Sequence, residues 1–440
     1  MSPEALRTLV LIVTIAALSP FLADLVKRRV AVPRVVIEIA LGMLIGPHLL
    51  GWAHLDEVIS VLAEMGLVFL IFLAGFEIDP DEVKGKPVVS AVRGWLVSLA
   101  IAIVVAAGLH ALDVTSSVRF VAIALTTTAI GTLLPILGDA CVLRTRLGTD
   151  TLAGGAMGEL GPIVAISVAL TTDAPGRTAV VLAVFTFVTL GVGWAATREA
   201  KPRTVELIAH TLHSSGQLGV RICVLLCVLL VWTAAEFGLD VLLGAFAAGM
   251  LARLFLVEHT PSDGPGVDAA PGTAAGAGSA HHALERFDHR EEVQHRIEAL
   301  GFGFFIPLFF VVSGVRFDLE ALFNPIELLK VPLFLALFLL VRGAPALVLY
   351  RGELEQHELR ALALLQSAAL PLLVVIAEIG LSTGQMRSDN AAGLVGAGLV
   401  SVIVFPIAAL SIARQGVDTT RGARPTGDGS PEQGSSTPVP

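Results

Sequence analysis

Charge is scarce in this chain: of 440 residues only 15% are Asp, Glu, Lys or Arg, while 55% are apolar. A mean hydropathy of +0.80 points the same way, and together they exclude a soluble globular domain. Alternating segments of β-barrel type are absent, so the membrane-spanning structure is helical. The chain holds no nucleophile–base set, no metal-ligand cluster and no phosphate-binding loop, which argues against an enzyme and against a cofactor or resident metal. Nothing marks nucleic acid as a partner. Cysteine is limited to Cys141, Cys223 and Cys227. All three lie at or within apolar runs, where buried thiols are expected rather than a disulfide. The first apolar run, near residues 5–24, lacks the basic start and small-residue cleavage site of a secretory signal and reads as a retained helix.

What is present is a series of apolar runs, each matching the roughly 20 residues an α-helix needs to cross about 30 Å of hydrocarbon. The sequence predicts about thirteen, beginning near residues 5, 33, 58, 88, 119, 149, 177, 217, 239, 298, 329, 360 and 390. Alternate loops concentrate the basic residues: Lys27, Arg28, Arg29 and Arg34, then Lys84 and Lys86, then Arg144 and Arg146, then Arg198, Lys201 and Arg203. Cytoplasmic loops carry such excess, so an N-terminus outside and a C-terminus inside are expected in the cell membrane. The net charge of −9 lies largely in loops and tail and does not orient the helices. Residues 1–413 read as one transmembrane domain. It is interrupted at 258–297 by a Gly/Ala/Pro linker and a charged amphipathic segment with His281, His282, His289 and His295. After Arg414 the composition predicts a disordered cytoplasmic tail, 414–440.

An ionisable side chain at mid-bilayer costs about 2.5–3.5 kcal/mol, so depth selects the charges that need a reason. Arg93, Arg221 and Glu378 are near helix ends, within reach of the interface; Glu38 and Glu64 are about two turns in. Glu159, within AGGAMGELGPIVAI, and Arg342, within LLVRGAPALV, are deeper, at nearly one level. Small residues around both allow close helix approach, so a counter-charged pair is expected there. Two other runs carry polar residues ahead of a proline: ALTTTAIGTLLPILG, residues 124–138 with Pro135, and LLQSAALPLLVVIAEIG, residues 364–380 with Pro371. Proline removes a backbone donor and clashes with the preceding turn. They lie seven helices apart, and that odd offset points to inverted repeats with two broken helices crossing at an ion site.

Several stretches also carry a family resemblance. VPRVVIEIALGMLIGPHLLG (32–51), LAEMGLVFLIFLAGFEID (62–79), VLLGAFAAGMLA (241–252) and FFIPLFFVVSGVRFDL (304–319) occur in family order. On these the chain resembles the monovalent cation:proton antiporters, in the second cation/proton antiporter branch, over about residues 5–413. Glu159 falls where that family places its ion-binding aspartate, Gly158 at the neighbouring position, and Arg342 where the family has lysine or arginine. The resemblance implies an elevator-like homodimer with a dimerisation bundle and a moving core, exchanging Na⁺ or K⁺ for H⁺. Glu159 is then the shared cation and proton site, helped by Thr127 and Thr128 of the first break and Gln366 and Ser367 of the second. Arg342 is the stabilising counter-charge. A single titrating carboxylate implies electroneutral exchange, since an arginine does not release its proton. A channel-like cation pathway and a non-transporting sensor or scaffold that keeps the fold are the competing readings.

Overall fold

The computed structural model describes residues 3–27, 32–77, 86–143, 145–170, 217–257, 293–317 and 328–422, with 184, 185, 187, 189 and 191. Apart from an isolated bridge between Arg351 and Leu354, the regular structure described is helical. Nine helices among the described residues are long and apolar enough to cross a membrane, and two shorter apolar ones run Val118–Leu133 and Val241–Leu254. This is a polytopic all-α membrane protein. The expected span near 177 falls mostly outside the described residues. So do the linker and His281, His282 and His289 of the insertion, whereas His295 lies on a helix one turn from Glu298, at 3.5 Å.

In chain order the helices are α1 Pro3–Lys27, α2 Arg34–Ile45, α3 Glu57–Glu77, α4 Lys86–Ala111, α5 Val118–Leu125, α6 Ile130–Asp139 and α7 Arg146–Leu170. There follow α8 Leu218–Glu236, α9 Val241–Val257, α10 Val293–Arg316, α11 Lys330–Leu349, α12 Gln356–Gln366, α13 Pro371–Ser382 and α14 Ser388–Gly422. Two expectations need correction. α14 continues to Gly422, eight residues past Arg414, because extending a formed helix costs far less than starting one; residues 423–440 are outside the described ones. Cys141 is exposed, in a turn with φ 56°, while Cys223 and Cys227 are buried on α8.

The helices pack as two groups. α1, α2, α3, α8, α9 and α10 form a scaffold; α4–α7 and α11–α14 form a core, and α9 against α7 is the main helix pairing between them. Glycine makes the scaffold tight: a Cβ on Gly314 of α10 would lie 3.0 Å from the Gly42 Cα of α2, and one on Gly66 of α3 would lie 2.9 Å from Phe309. Such small-residue seams let backbones touch where lipid supplies no hydrophobic drive between helices. The core is tied at one end by buried Lys330 of α11, whose Nζ donates to Asp389 Oδ2 at 2.5 Å and Asn390 Oδ1 at 3.0 Å on α14. Large apolar side chains left exposed, such as Phe21, Leu96, Val104 and Trp232, suit a lipid-facing surface.

Candidate functional site

The site lies where two helices fail to continue. α5 ends at Leu125 and α6 resumes at Ile130; α12 ends at Gln366 and α13 resumes at Pro371. The breaks meet directly, with Ala129 N–H donating to Ala368 O at 2.8 Å. The halves run antiparallel: Phe120, at the start of α5, faces Gly380 near the end of α13, and Arg119 bonds Gln385 beyond it. Pro371 opens α13 at its first turn, where its missing N–H costs nothing. Pro135 does not make the first break. It lies within α6, five residues after that helix begins, and the interruption falls at Thr126–Ala129 instead. There the hydroxyls of Thr126 and Thr127 bond the Ile123 and Ala124 carbonyls at 2.7 and 2.8 Å, closing the end of α5 with side chains.

Glu159 sits on α7 beside these breaks, thirteen residues from Arg146 and 7% exposed. Its Oε1 accepts from Ile130 N–H at 3.2 Å, and Gly131 N–H contributes a further backbone contact. The carboxylate therefore caps the N-terminus of α6, where unpaired N–H groups and the helix dipole favour negative charge. Among the described residues, the buried Oε2 has no hydrogen-bond partner. Glu159 lines a cavity of about 60 Å³ between core and scaffold, together with Gly131, Thr132, Pro371, Phe302, Phe310 and Glu77, among others.

Arg342 does not pair with Glu159. It lies in a π-helical turn of α11, Leu339–Gly343, and is 2% exposed. Its Nε donates to Thr128 Oγ1 at 2.9 Å and its Nη2 to Gly154 O at 2.9 Å. Thr128 Oγ1 in turn donates to Gln366 O, at the carbonyl end of α12, at 2.7 Å. The two charges thus serve opposite poles of the crossing: the anion meets an N-terminus, and the cation is linked through Thr128 to a C-terminus. The expectation of a direct pair came from equal depth, which cannot say which way each side chain points. Ser367 also turns inward, donating to Ala363 O at 2.7 Å. Of the nominated residues, Glu159 and Pro371 line the cavity; the side chains of Thr127, Thr128 and Ser367 and the backbone carbonyl of Gln366 brace the breaks behind it.

A family model described as "Sodium/hydrogen exchanger, transmembrane" matches residues 12–263 and 274–413. The chain belongs to the sodium/hydrogen exchanger family. YjbQ of Bacillus subtilis is 24% identical over 423 residues, 92% of this chain, and the chain spans 63% of that protein's length. The Na(+)/H(+)-K(+) antiporter GerN of Bacillus cereus is 20% identical over 404 residues, covering 90% of this chain and 93% of GerN. Among solved structures, the sodium proton antiporter MjNhaP1 of Methanocaldococcus jannaschii superposes with a TM-score of 0.65 at 15% identity, over 94% of this chain and 98% of that one. That similarity supports the exchanger fold.

Within this exchanger fold, Gly158 and Arg342 explain each other. A Cβ at 158 would lie 2.6 Å from Thr128 Oγ1 and 2.9 Å from Arg342 Nη2, so the guanidinium occupies the room a side chain there would need. Three participants escaped the sequence reading. Ser401 of α14 accepts from Ala369 N–H at 3.0 Å and donates to Gly398 O at 2.8 Å, satisfying the second break. Thr132, on the first turn of α6, lines the cavity. Glu77 ends α3 inside the quoted stretch LAEMGLVFLIFLAGFEID, where its place at a helix end reads as interfacial. A second, larger cavity of about 620 Å³ lies farther along the core–scaffold seam, lined by Glu64, Arg316 and Glu378, with Arg316 bonded to Glu378. Glu38 is spent on the scaffold, accepting from Ser19 Oγ at 2.8 Å.

Proposed function

We propose that the chain is a secondary transporter that exchanges a monovalent cation, Na⁺ or K⁺, for H⁺, with Glu159 carrying either one. The observation that carries this reading is that Glu159, buried at the crossing of two broken helices, lines a small cavity and keeps one carboxylate oxygen, Oε2, without a hydrogen-bond partner among the described residues. A carboxylate oxygen without a hydrogen-bond partner can ligate a dehydrated cation or hold a proton, and the two compete for one place. Thr127, Thr128, Gln366 and Ser367 hold the breaks in shape around it. Arg342 keeps the carbonyl pole electrically balanced and leaves Glu159 as the one titrating group carried on the core, so exchange is one-for-one and electroneutral. Membership of the exchanger family and the relative named as a Na(+)/H(+)-K(+) antiporter support the same cargo. The scaffold is the surface through which two copies form a homodimer, and the chain sits in the cell membrane with its N-terminus outside.

The test is reconstitution into proteoliposomes with a preset pH gradient. Added Na⁺ or K⁺ dissipates the gradient in the parent, and Glu159→Gln, nearly isosteric but unable to exchange a proton, abolishes that flux while the protein stays folded. Full cation-driven flux in Glu159→Gln refutes the assignment.

A further inference from the structure

The cavity beside Glu159 has two walls that belong to different bodies. The core wall supplies Glu159; the scaffold wall supplies Glu77, the last residue of α3, and among the described residues these are the two ionisable side chains that line it. A volume of about 60 Å³ has room for one small cation with little water. Glu77 is held in place by its backbone. Arg253 of α9 donates Nη1 to the Phe76 and Glu77 carbonyls at 3.0 and 3.4 Å, and the Gly249 Cα side of α9 packs against Phe76 with no room for a side chain between them. Among the described residues, Glu298 of α10 and the Arg253 guanidinium are the other charges near its carboxyl.

The two carboxylates therefore share a cavity but not a rigid body. Glu159 reaches the small cavity and does not line the larger one by Glu64, Arg316 and Glu378, so exposing it there requires core and scaffold to change their relation. When that happens Glu77 stays with α3. The larger cavity also holds two carboxylates, Glu64 of α3 and Glu378, but both face Arg316, which bonds Glu378 and lies within Coulomb range of Glu64, whereas Glu77 and Glu159 have no such cation lining their cavity among the described residues.

We propose that Glu77 is a one-sided docking carboxylate. It draws a monovalent cation into the small cavity and hands it to Glu159, then remains behind when Glu159 turns to the opposite face. The idea rests on Glu159 being the carried site. Its consequence is asymmetry: Glu77 strengthens cation capture from its own face alone and adds nothing to the number of ions carried.

The experiment uses the full chain in vesicles sorted by orientation, with an entrapped pH dye and Na⁺ or K⁺ added on one face at a time. Glu77→Gln removes one negative charge within Coulomb range of the incoming ion, so apparent KM rises roughly five- to tenfold on the Glu77 face and less than about twofold on the other. Glu77→Asp, which keeps the charge, recovers most of that loss, and a detergent melt confirms that both variants fold. Unchanged KM on both faces, or an equal rise on both, overturns the proposal. Glu159→Gln run alongside separates the two readings: flux surviving in that variant removes the carried site itself, whereas an inactive Glu159→Gln beside a parent-like Glu77→Gln removes only the docking role.

Discussion

Removing Arg342 tests how the buried charges are held. The guanidinium makes two hydrogen bonds of 2.9 Å, to Thr128 Oγ1 and Gly154 O. Bonds from a charged donor contribute about 1.5–3 kcal/mol each, which sets a range of about 3–6 kcal/mol for the two. Neither acceptor is left bare when the arginine goes, because Thr128 Oγ1 keeps its bond to Gln366 O and the Gly154 carbonyl lies within α7. The lower end therefore applies, and Arg342→Ala should cost about 3 kcal/mol. The double variant with Glu159→Gln then discriminates between arrangements. A direct buried ion pair leaves an uncompensated charge when one partner is removed, at about 3–5 kcal/mol, and neutralising the other partner recovers much of it. With each charge serving its own helix pole, the two losses add, and the coupling stays within about 1 kcal/mol. Reversible unfolding in mixed detergent, read by tryptophan fluorescence for the parent, both single variants and the double, supplies the cycle. A coupling of about 2 kcal/mol or more would refute the separate-pole arrangement.

Three further outcomes follow from the same geometry. Gly158→Ala pushes a methyl group to 2.6 Å from Thr128 and should lose about 1–3 kcal/mol, and a detergent melt matching the parent counts against that packing. Ser401→Ala strips the Ala369 N–H of its acceptor inside the second break and should cost about 1–3 kcal/mol with a fall in initial cation-driven flux; a melt within 0.5 kcal/mol of the parent, on the order of an ordinary surface change, argues otherwise. Because Glu159 alone is carried, proton flux in proteoliposomes should not change with an imposed membrane potential, and a reversal point that moves systematically with voltage contradicts one-for-one exchange.

Much of the architecture was legible because the bilayer restricts the backbone. Hydrocarbon admits only internally bonded helices or closed barrels, so in a chain without alternating segments apolar run length locates most spans. The same cost singles out Glu159 and Arg342, since a deep charge needs a reason wherever it points. Both breaks were legible too, though the mark was different in each: Pro371 opens α13, whereas three threonines, not Pro135, interrupt α5 and α6. Glu77, Thr132 and Ser401 were not legible, because a carboxylate at a helix end and hydroxyls inside apolar helices occur routinely without function.

By itself the sequence determined the helical class, the depth of the two buried charges and the presence of two interrupted helices, all consequences of what a residue costs in lipid regardless of its neighbours. Only the tertiary structure decided who meets whom. Depth is a single coordinate, and it placed Glu159 level with Arg342; orientation around the helix axis and the crossing of the breaks sent one side chain to the N-terminus of α6 and the other to Thr128 and Gly154. The cavity itself exists only between two bodies, with one carboxylate contributed by each, and no single stretch of chain contains it.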